Sequence, residues 1–169
     1  MAILPIRLYP DPILRQRCQP VEQFDQELAR LAHDMVETMY EAPGIGLAAP
    51  QVGVDRRLAV VDLSIGKNPT QLLFLVNPRL SEPSGSWEDE EGCLSIPGFN
   101  EKVSRPERLR VEACDLAGVA FQLLAEGMLA RVISHEVDHL DGVLFVDHLR
   151  GLRRERARRA LRRLTQPES

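Results

Sequence analysis

Residues 133–142 read ISHEVDHLDG, in which His135 and His139 stand four positions apart and Glu136 directly follows the first histidine. On a helix this spacing projects both imidazoles from one face, one turn apart, so that they can bind one metal ion. Glu136 would then be close enough to exchange a proton with a metal-activated water without binding the metal itself. The alternative is a surface helix with two solvated histidines, because the HExxH pattern also arises by chance.

A catalytic metal site needs a third protein ligand and one open position. The residues after His139 contain no HxxGxxH pattern, and Glu155 falls among arginines, so the third ligand is expected upstream. Cys93 in EGCLSIPG (91–98) is the candidate, because it lies in a glycine-flanked loop after an acidic run. The alternative is that Cys93 is a small core residue.

A third stretch, GIGLAAPQVG (44–53), is rich in glycine and alanine directly after a predicted helix. It lacks the GK[ST] and GxGxxG patterns of phosphate-binding loops. Its small residues favour a loop that leaves room for a substrate backbone and presents the Gln51 amide as a hydrogen-bond donor. A tight turn between a helix and a strand is the alternative.

With 169 residues, of which 44% are hydrophobic and 27% charged, the chain has the composition of one globular domain. No apolar run approaches the ~18 residues of a membrane span. The N-terminal MAILPIRLYPDP has prolines where a signal peptide needs a continuous apolar stretch. We therefore expect a cytoplasmic protein with no membrane partner. The three cysteines form no disulfide framework, and we expect Cys18 and Cys114 to be small core residues.

Hydrophobic periodicity predicts an α+β fold. The predicted elements are helices over 24–42, 128–140 and 149–164, strands over 58–64 and 72–78, and a hairpin over 108–127. Strands and helices mix without a regular βαβ rhythm. We therefore expect mixed or antiparallel β-sheets packed around a central HExxH helix that binds the metal, with an N-terminal amphipathic helix and a C-terminal basic helix.

The charge of the chain is distributed unevenly. Residues 150–169 carry eight arginines against Glu155 and Glu168, although the whole chain has a net charge of −4. This asymmetry suggests a single catalytic domain over 1–149 and an arginine-rich C-terminal helix or tail over 150–169 that packs on the same domain. Leucines among the arginines favour packing, and the arginines favour binding of RNA phosphates. Both can hold, since one face can pack while the other binds.

The stretches GIGLAAPQ, EGCLS and HEVDH, in this order, resemble the three signature motifs of the peptide deformylases. LYPDPILR, RPERLRV and DGVLFVDHL also resemble that family, so the resemblance covers nearly the whole chain. It implies a metal-dependent hydrolase that removes the N-formyl group from the formyl-methionine of nascent polypeptides and releases formate. It also implies that the basic helix docks at the ribosome, where ribosomal RNA is a candidate partner.

The resemblance assigns a role to each matching position. It implies that one divalent metal, Fe²⁺ in the cell with Zn²⁺, Ni²⁺ or Co²⁺ as replacements, is bound by Cys93, His135 and His139. It makes Glu136 the general acid and base, Gln51 and the Leu94 backbone N–H the oxyanion donors, and Gly46 the residue that lets the formyl group approach. The pocket for the methionine side chain would be lined by Ile45, Glu91, Met128 and Val132.

Two positions depart from the family pattern, Ser134 where glutamine is usual and Arg131 where an apolar residue is frequent. We expect Ser134 to alter hydrogen bonding around the ligands without removing one. Arg131 is expected to point to solvent, because burial of a charge is costly. The alternative is that it places a charge at the mouth of the pocket. Asp138 is expected either to orient a ligand histidine or to be solvated.

Two other classes of protein share some of these features. An HExxH metallopeptidase would use the same activated water, but the downstream third ligand is missing. A non-catalytic RNA-binding protein, or an inactive ribosome-associated relative, would use the basic tail. The RNA-binding protein leaves the spacing of Cys93, His135, Glu136 and His139 unexplained. The remaining histidines, His33 and His148, are expected to be structural or surface residues.

Overall fold

Two antiparallel sheets and three α-helices account for most of residues 2–166, the part of the chain that the computed structural model describes. The helices are α1 (Gln26–Glu41), α2 (Gly127–Leu140) and α3 (Gly151–Thr165). The strands are β1 (Gly46–Ala48), β2 (Leu58–Val61), β3 (Leu73–Ser84), β4 (Trp87–Cys93), β5 (Ile96–Arg105), β6 (Arg108–Cys114) and β7 (Ala120–Glu126).

The larger sheet has the strand order β1-β2-β3-β6-β7, and β4 and β5 form a separate two-stranded sheet. Every strand pair is antiparallel. The predicted hairpin over 108–127 corresponds to β6 and β7, which pair from Arg108 and Glu126 to Cys114 and Ala120. The α+β class with antiparallel sheets is therefore confirmed.

Helix α1 forms where the periodicity predicts it. The Asp25 side chain accepts a hydrogen bond from the Leu28 backbone N–H and caps the first turn. Leu28, Met35 and Met39 recur at helical spacing and are fully buried, so that one stripe of the helix packs on the sheet.

Helix α2 follows β7 directly and is buried over most of its length. Its apolar residues, among them Ala130, Ile133 and Leu140, pack in one cluster with side chains of β2, β3 and β6. The helix ends before Gly142, whose φ of +76° suits glycine and where an added methyl would lie 2.5 Å from the Arg15 carbonyl oxygen. This burial fixes the direction in which the HExxH side chains point.

Helix α3 packs on the β4–β5 hairpin. Ala157, Leu161 and Leu164 join a third apolar cluster that includes Ile96 and Val103 of β5. Two ion pairs reinforce this contact, Arg153 with Glu88 at 2.9 Å and Arg156 with Glu101 at 2.8 Å. Residues 167–169 of the predicted tail lie outside the described residues.

Two segments expected to be loops contain regular structure. Residues 44–53 form β1 and a short 3₁₀ helix, Ala49–Val52, and Cys93 ends β4 instead of lying in a loop. The hairpin of β4 and β5 is not apparent from the sequence, because charged and glycine residues mask strand alternation in WEDEEGC. Within residues 2–166, no helix is long and apolar enough to cross a membrane.

Asp62, directly after β2, forms hydrogen bonds with α1 and with the residue before β1. Its backbone N–H donates to the Ile45 carbonyl, and its carboxylate accepts hydrogen bonds from Tyr40, Ser64 and the Gly66 amide. Burial acts to raise the pKa of Asp62, but these hydrogen bonds outweigh it and hold the pKa below its ordinary value.

We expect Tyr40→Phe to lower the free energy of unfolding by about 1–3 kcal/mol at neutral pH, because a hydrogen bond to a buried carboxylate is lost. The pKa of Asp62 is lower in the folded chain than in the unfolded chain, so its ionised carboxylate stabilises the fold at pH values above the pKa of the unfolded chain. This stabilisation is lost as the pH falls through the pKa of the folded chain. The difference from wild type should therefore shrink in acid. Urea unfolding at several pH values measures it, with Tyr9→Phe as the matched control. A constant difference across that range would contradict the assignment.

Candidate active site

Three ligand-type atoms from two elements converge in the interior. The Cys93 Sγ at the end of β4 lies 3.3 Å from the His139 Nε2, which lies 3.2 Å from the His135 Nε2. These three atoms all lie within 4.8 Å of one another. Helix α2 supplies both imidazoles one turn apart, as their spacing predicts, with ring centroids 4.9 Å apart.

The donor set fits a bound transition-metal ion. Two imidazole nitrogens and a thiol face one point, and a metal ion satisfies three such lone pairs where a single shared proton cannot. The burial of His139, which is 1% exposed, lowers its pKa and keeps the ring neutral, which is the form that binds metals. Cysteine thiolates and histidine nitrogens both serve as ligands in catalytic zinc sites, where three protein ligands leave one position open.

Glu91 fixes the orientation of His135. Its carboxylate lies 2.9 Å from the His135 Nδ1 and also accepts two hydrogen bonds from Arg105, at 2.8 and 2.9 Å. Burial acts to raise the pKa of Glu91, but Arg105 and His135 hold it far below its ordinary value. An ionised Glu91 keeps the proton on Nδ1, which leaves the Nε2 lone pair free to bind a metal.

Glu136 is buried beside the three ligand-type atoms. Burial raises its pKa to about 7, which places the carboxyl group near the pH at which it can both accept and donate a proton. Its Oε1 has no hydrogen-bond partner among residues 2–166. Its Oε2 lies against Gly46, where a Cβ atom would come within 2.5 Å. Glycine at this position leaves the carboxylate the space that it occupies.

Gln51 is 2% exposed and held in one orientation. Its Oε1 accepts a hydrogen bond from the Ala48 backbone N–H at 3.0 Å, so its NH₂ group must face the other way. That group lies 3.2 Å from the Ser95 Oγ and 3.5 Å from the Cys93 Sγ. The amide therefore presents a donor beside the cysteine sulfur.

One cavity of about 450 Å³ brings the three motifs together. All of the predicted site residues line it except His139, whose Nε2 lies next to the Cys93 sulfur and the His135 Nε2. The lining includes Leu94 and the four residues predicted for a side-chain pocket, Ile45, Glu91, Met128 and Val132.

The structure overturns the expectation that Arg131 points to solvent. Arg131 is 2% exposed, and its guanidinium lies 2.5 Å from the Glu91 carboxylate. The Asp138 carboxylate forms no hydrogen bond with either histidine of the HExxH motif, and instead bonds to Arg105 at 2.7 Å and to His148 at 2.8 Å. The Ser134 hydroxyl donates to the Ala130 carbonyl within the helix.

Several residues of the site were not identified from the sequence. Arg105, which holds Glu91, lies in the stretch RPERLRV, where nothing local distinguishes it from its neighbouring arginines. The cavity is also lined by Glu90, Pro97, Gly98 and Asn100. Phe145 stacks on His135 with ring centroids 6.0 Å apart. His33 and His148 are exposed, as expected of surface residues.

Comparison with known proteins identifies a single family. Residues 3–155 match the family model for polypeptide deformylase. Peptide deformylases from Acidobacterium capsulatum and Alkalilimnicola ehrlichii are 48% and 52% identical to the chain over 164 residues, covering 97% of it and 96% and 92% of their own lengths. The crystal structure of a peptide deformylase from Legionella pneumophila superposes with a TM-score of 0.90 at 46% identity, covering 97% of this chain and 96% of that one.

We expect Gly46→Ala to displace Glu136 and to destabilise the fold by about 1–3 kcal/mol, because the added methyl has no space. It would lie 2.5 Å from the Glu136 Oε2 and 2.9 Å from the Val132 Cγ1. Gly44→Ala is the matched control, since the atom nearest its methyl would be the flexible end of the Leu94 side chain, at 3.1 Å, and the next would be the Met39 carbonyl oxygen, at 3.7 Å. Urea unfolding and a crystal structure of each variant measure the effect. Equal stability of the two variants with Glu136 unmoved would contradict this interpretation.

Proposed function

The chain belongs to the polypeptide deformylase family, whose members are metal-dependent hydrolases that remove the N-formyl group from nascent peptides. We propose the role of each residue of this chain in that reaction. The convergence of Cys93, His135 and His139 beside the buried Glu136 is the observation that carries the proposal. The family match favours this function over the metallopeptidase and the inactive relative.

Cys93, His135 and His139 hold one divalent metal, which makes α2 the central metal-binding helix of the fold. Fe²⁺ is the proposed metal in the cell, and Zn²⁺, Ni²⁺ or Co²⁺ suits the same ligands in a purified sample. A metal bound there would supply Lewis acidity and would lower the pKa of water far enough, toward about 7, to yield a nucleophile at neutral pH.

Glu136 acts as the general base and then as the general acid. It takes the proton of the attacking water and returns it to the amine of the methionine as the formyl C–N bond breaks, so formate and a free N-terminus are released. A buried carboxyl group with a pKa of about 7 suits both transfers at neutral pH. The Oε1 atom, which no residue of the described chain contacts by a hydrogen bond, is the atom assigned to this exchange.

Gln51 and the backbone N–H of Leu94 donate hydrogen bonds to the formyl oxygen as it gains negative charge. One such donor typically contributes about 3–4 kcal/mol of barrier lowering. The fixed orientation of the Gln51 amide supports this role, because no reorganisation is needed when the charge develops. Gly46 leaves room for the formyl group, since any side chain there would meet Glu136.

The methionine side chain occupies the cavity beside Ile45, Met128 and Val132. Glu91 lines the same cavity, but its carboxylate oxygens are bonded to Arg105, Arg131 and His135. We therefore assign the carboxylate of Glu91 to holding His135, while its remaining surface contributes to the pocket wall.

We propose that residues 1–149 are the catalytic domain and that the basic tail predicted over 150–169 packs on it through its described part, which includes α3. The exposed arginines of α3, including Arg159, Arg162 and Arg163, form a face directed away from the packed leucines. This face is proposed to bind ribosomal RNA phosphates, which would place the enzyme in the cytoplasm beside the nascent chains that it deformylates.

The first experiment measures formate released from a formyl-methionyl tripeptide by anaerobically prepared, Fe²⁺-loaded protein. We expect Glu136→Ala to lower kcat by about 10²-fold or more, because the proton acceptor is lost. Cys93→Ser should lose both activity and bound metal, since a hydroxyl is a poor replacement for a thiolate.

An acetyl-methionyl tripeptide is the substrate control, and metal content measured on each variant is the protein control. Release of formate by the Glu136→Ala variant at the wild-type rate would contradict the assigned base. No formate from wild-type protein that holds one metal would contradict the proposed function as a whole.

The tail is tested by charge reversal, because deletion would also remove the core residues Ala157 and Leu161. We expect Arg159→Glu, Arg162→Glu and Arg163→Glu together to reduce co-sedimentation with ribosomes, with the largest loss at low salt. The matched control reverses three exposed arginines elsewhere, Arg17, Arg30 and Arg79. Equal co-sedimentation of both triple variants would remove support for a ribosome-binding tail.

A further inference from the structure

Arg131 is among the largest fully buried side chains of residues 2–166, and the proposed chemistry does not use it. It lies on α2, one turn before the first histidine of the HExxH motif. Its guanidinium carbon sits 4.4 Å from the centre of the Trp87 ring on β4. A buried charge is tolerated only where it is paired and hydrogen-bonded, so the partners of the Arg131 guanidinium indicate its role.

The hydrogen bonds of Arg131 all cross from α2 to the β4–β5 hairpin. Nη1 lies 2.5 Å from the Glu91 Oε2 and 2.9 Å from the Val103 carbonyl oxygen, and Nη2 lies 2.9 Å from the Trp87 carbonyl oxygen. One side chain of the histidine-bearing helix thus binds both strands of the hairpin, whose first strand ends at Cys93.

Arg105 makes the reverse connection. It lies on β5, bonds Glu91 through two nitrogens and reaches the Asp138 carboxylate of α2 at 2.7 Å. Two arginines therefore bridge the helix and the hairpin in opposite directions and meet on one carboxylate. Together with Glu91 and Asp138 they form a cluster with two positive and two negative charges, which removal of Arg131 would leave negative.

From this geometry we propose that Arg131 is a positioning residue for the metal site: it holds the Cys93 hairpin against α2 and so sets the distance between the thiolate and the two imidazoles. This inference rests on the proposed function, because it presumes that Cys93, His135 and His139 share a metal. Arg131 acts on the ligands through Glu91 and through the hairpin backbone, and it touches none of the three itself.

We expect the loss of Arg131 to weaken the binding of the metal. Partners that orient metal ligands typically change metal affinity by about 10–100-fold when they are removed. We expect Arg131→Met, which keeps a long side chain without charge, to release bound Zn²⁺ to a chelator about 10–100-fold faster than wild type. The Zn²⁺ release rate of Arg131→Lys should lie between those of wild type and Arg131→Met, because an ammonium group can bond Glu91 but cannot match the planar fork of a guanidinium group.

The experiment uses the full chain loaded with Zn²⁺ for release rates and with Co²⁺ for absorption spectra. The thiolate-to-cobalt charge-transfer band reports directly on the Cys93 sulfur, and a residue that only stabilised the fold would leave this band unmoved. Arg110→Met is the matched control, since Arg110 is an ion-paired arginine on β6 that bonds Glu82 at 2.6 Å and does not line the cavity. Unfolding of each metal-free variant measures the purely structural cost.

A weakened or shifted band together with faster Zn²⁺ release in Arg131→Met, and neither change in Arg110→Met, supports the proposal. Wild-type release and a wild-type band in Arg131→Met overturn it. If Arg131→Met does not fold, Arg131→Lys decides in the same way, because it retains the charge. A wild-type protein whose Co²⁺ complex lacks a thiolate band contradicts the proposed function instead, so the two failures are distinguishable.

Discussion

The hydrogen bond between the Glu91 carboxylate and the His135 Nδ1 is the contact on which the proposed chemistry depends. It selects the tautomer that leaves Nε2 able to bind a metal, and it works only while Glu91 stays ionised in a buried position. A lone buried carboxylate would take up a proton. Arg105 and Arg131 prevent this by surrounding Glu91 with positive charge. The cost of burying two guanidinium groups is offset by their ion pairs with Glu91 and Asp138 and by the hydrogen bonds of Arg131 to backbone carbonyls.

The site is assembled from segments that have different reasons to fold. Helix α2 is held by apolar packing against the larger sheet, which fixes the two histidines and Glu136. The hairpin that carries Cys93 belongs to another apolar cluster, together with Phe145. The cavity lies where these two bodies meet β1, and Gly46 lets the third segment approach without a side chain. Polar contacts therefore align units that hydrophobic burial alone would leave free to shift against one another.

Local sequence patterns were sufficient to predict the helices. Helical periodicity and the Asp25 cap located α1 and α2 within a few residues. Residue types and spacing within the motifs identified His135, Glu136 and His139, and also Cys93 and Gln51. The other residues predicted to line the cavity came from the resemblance to the peptide deformylases. Sequence reasoning missed β4 because charged and glycine residues mask its alternation. It failed on Arg131 because the burial of that side chain depends on an ion pair with a distant partner. Arg131 and Glu91 lie 40 residues apart, and no local pattern connects them.

The packing of α3 has a consequence for how the molecule opens. Ala157 and Leu161 share an apolar cluster with Ile96 and the partly buried Cys93, and Arg153 and Arg156 bind glutamates of the same hairpin. The basic helix and the cysteine-bearing hairpin therefore belong to one cooperative unit, which local fluctuations would unfold together. Under the proposed function, a partner that orders the outer face of α3 would also damp the motion of Cys93, so that docking and metal retention would be thermodynamically linked.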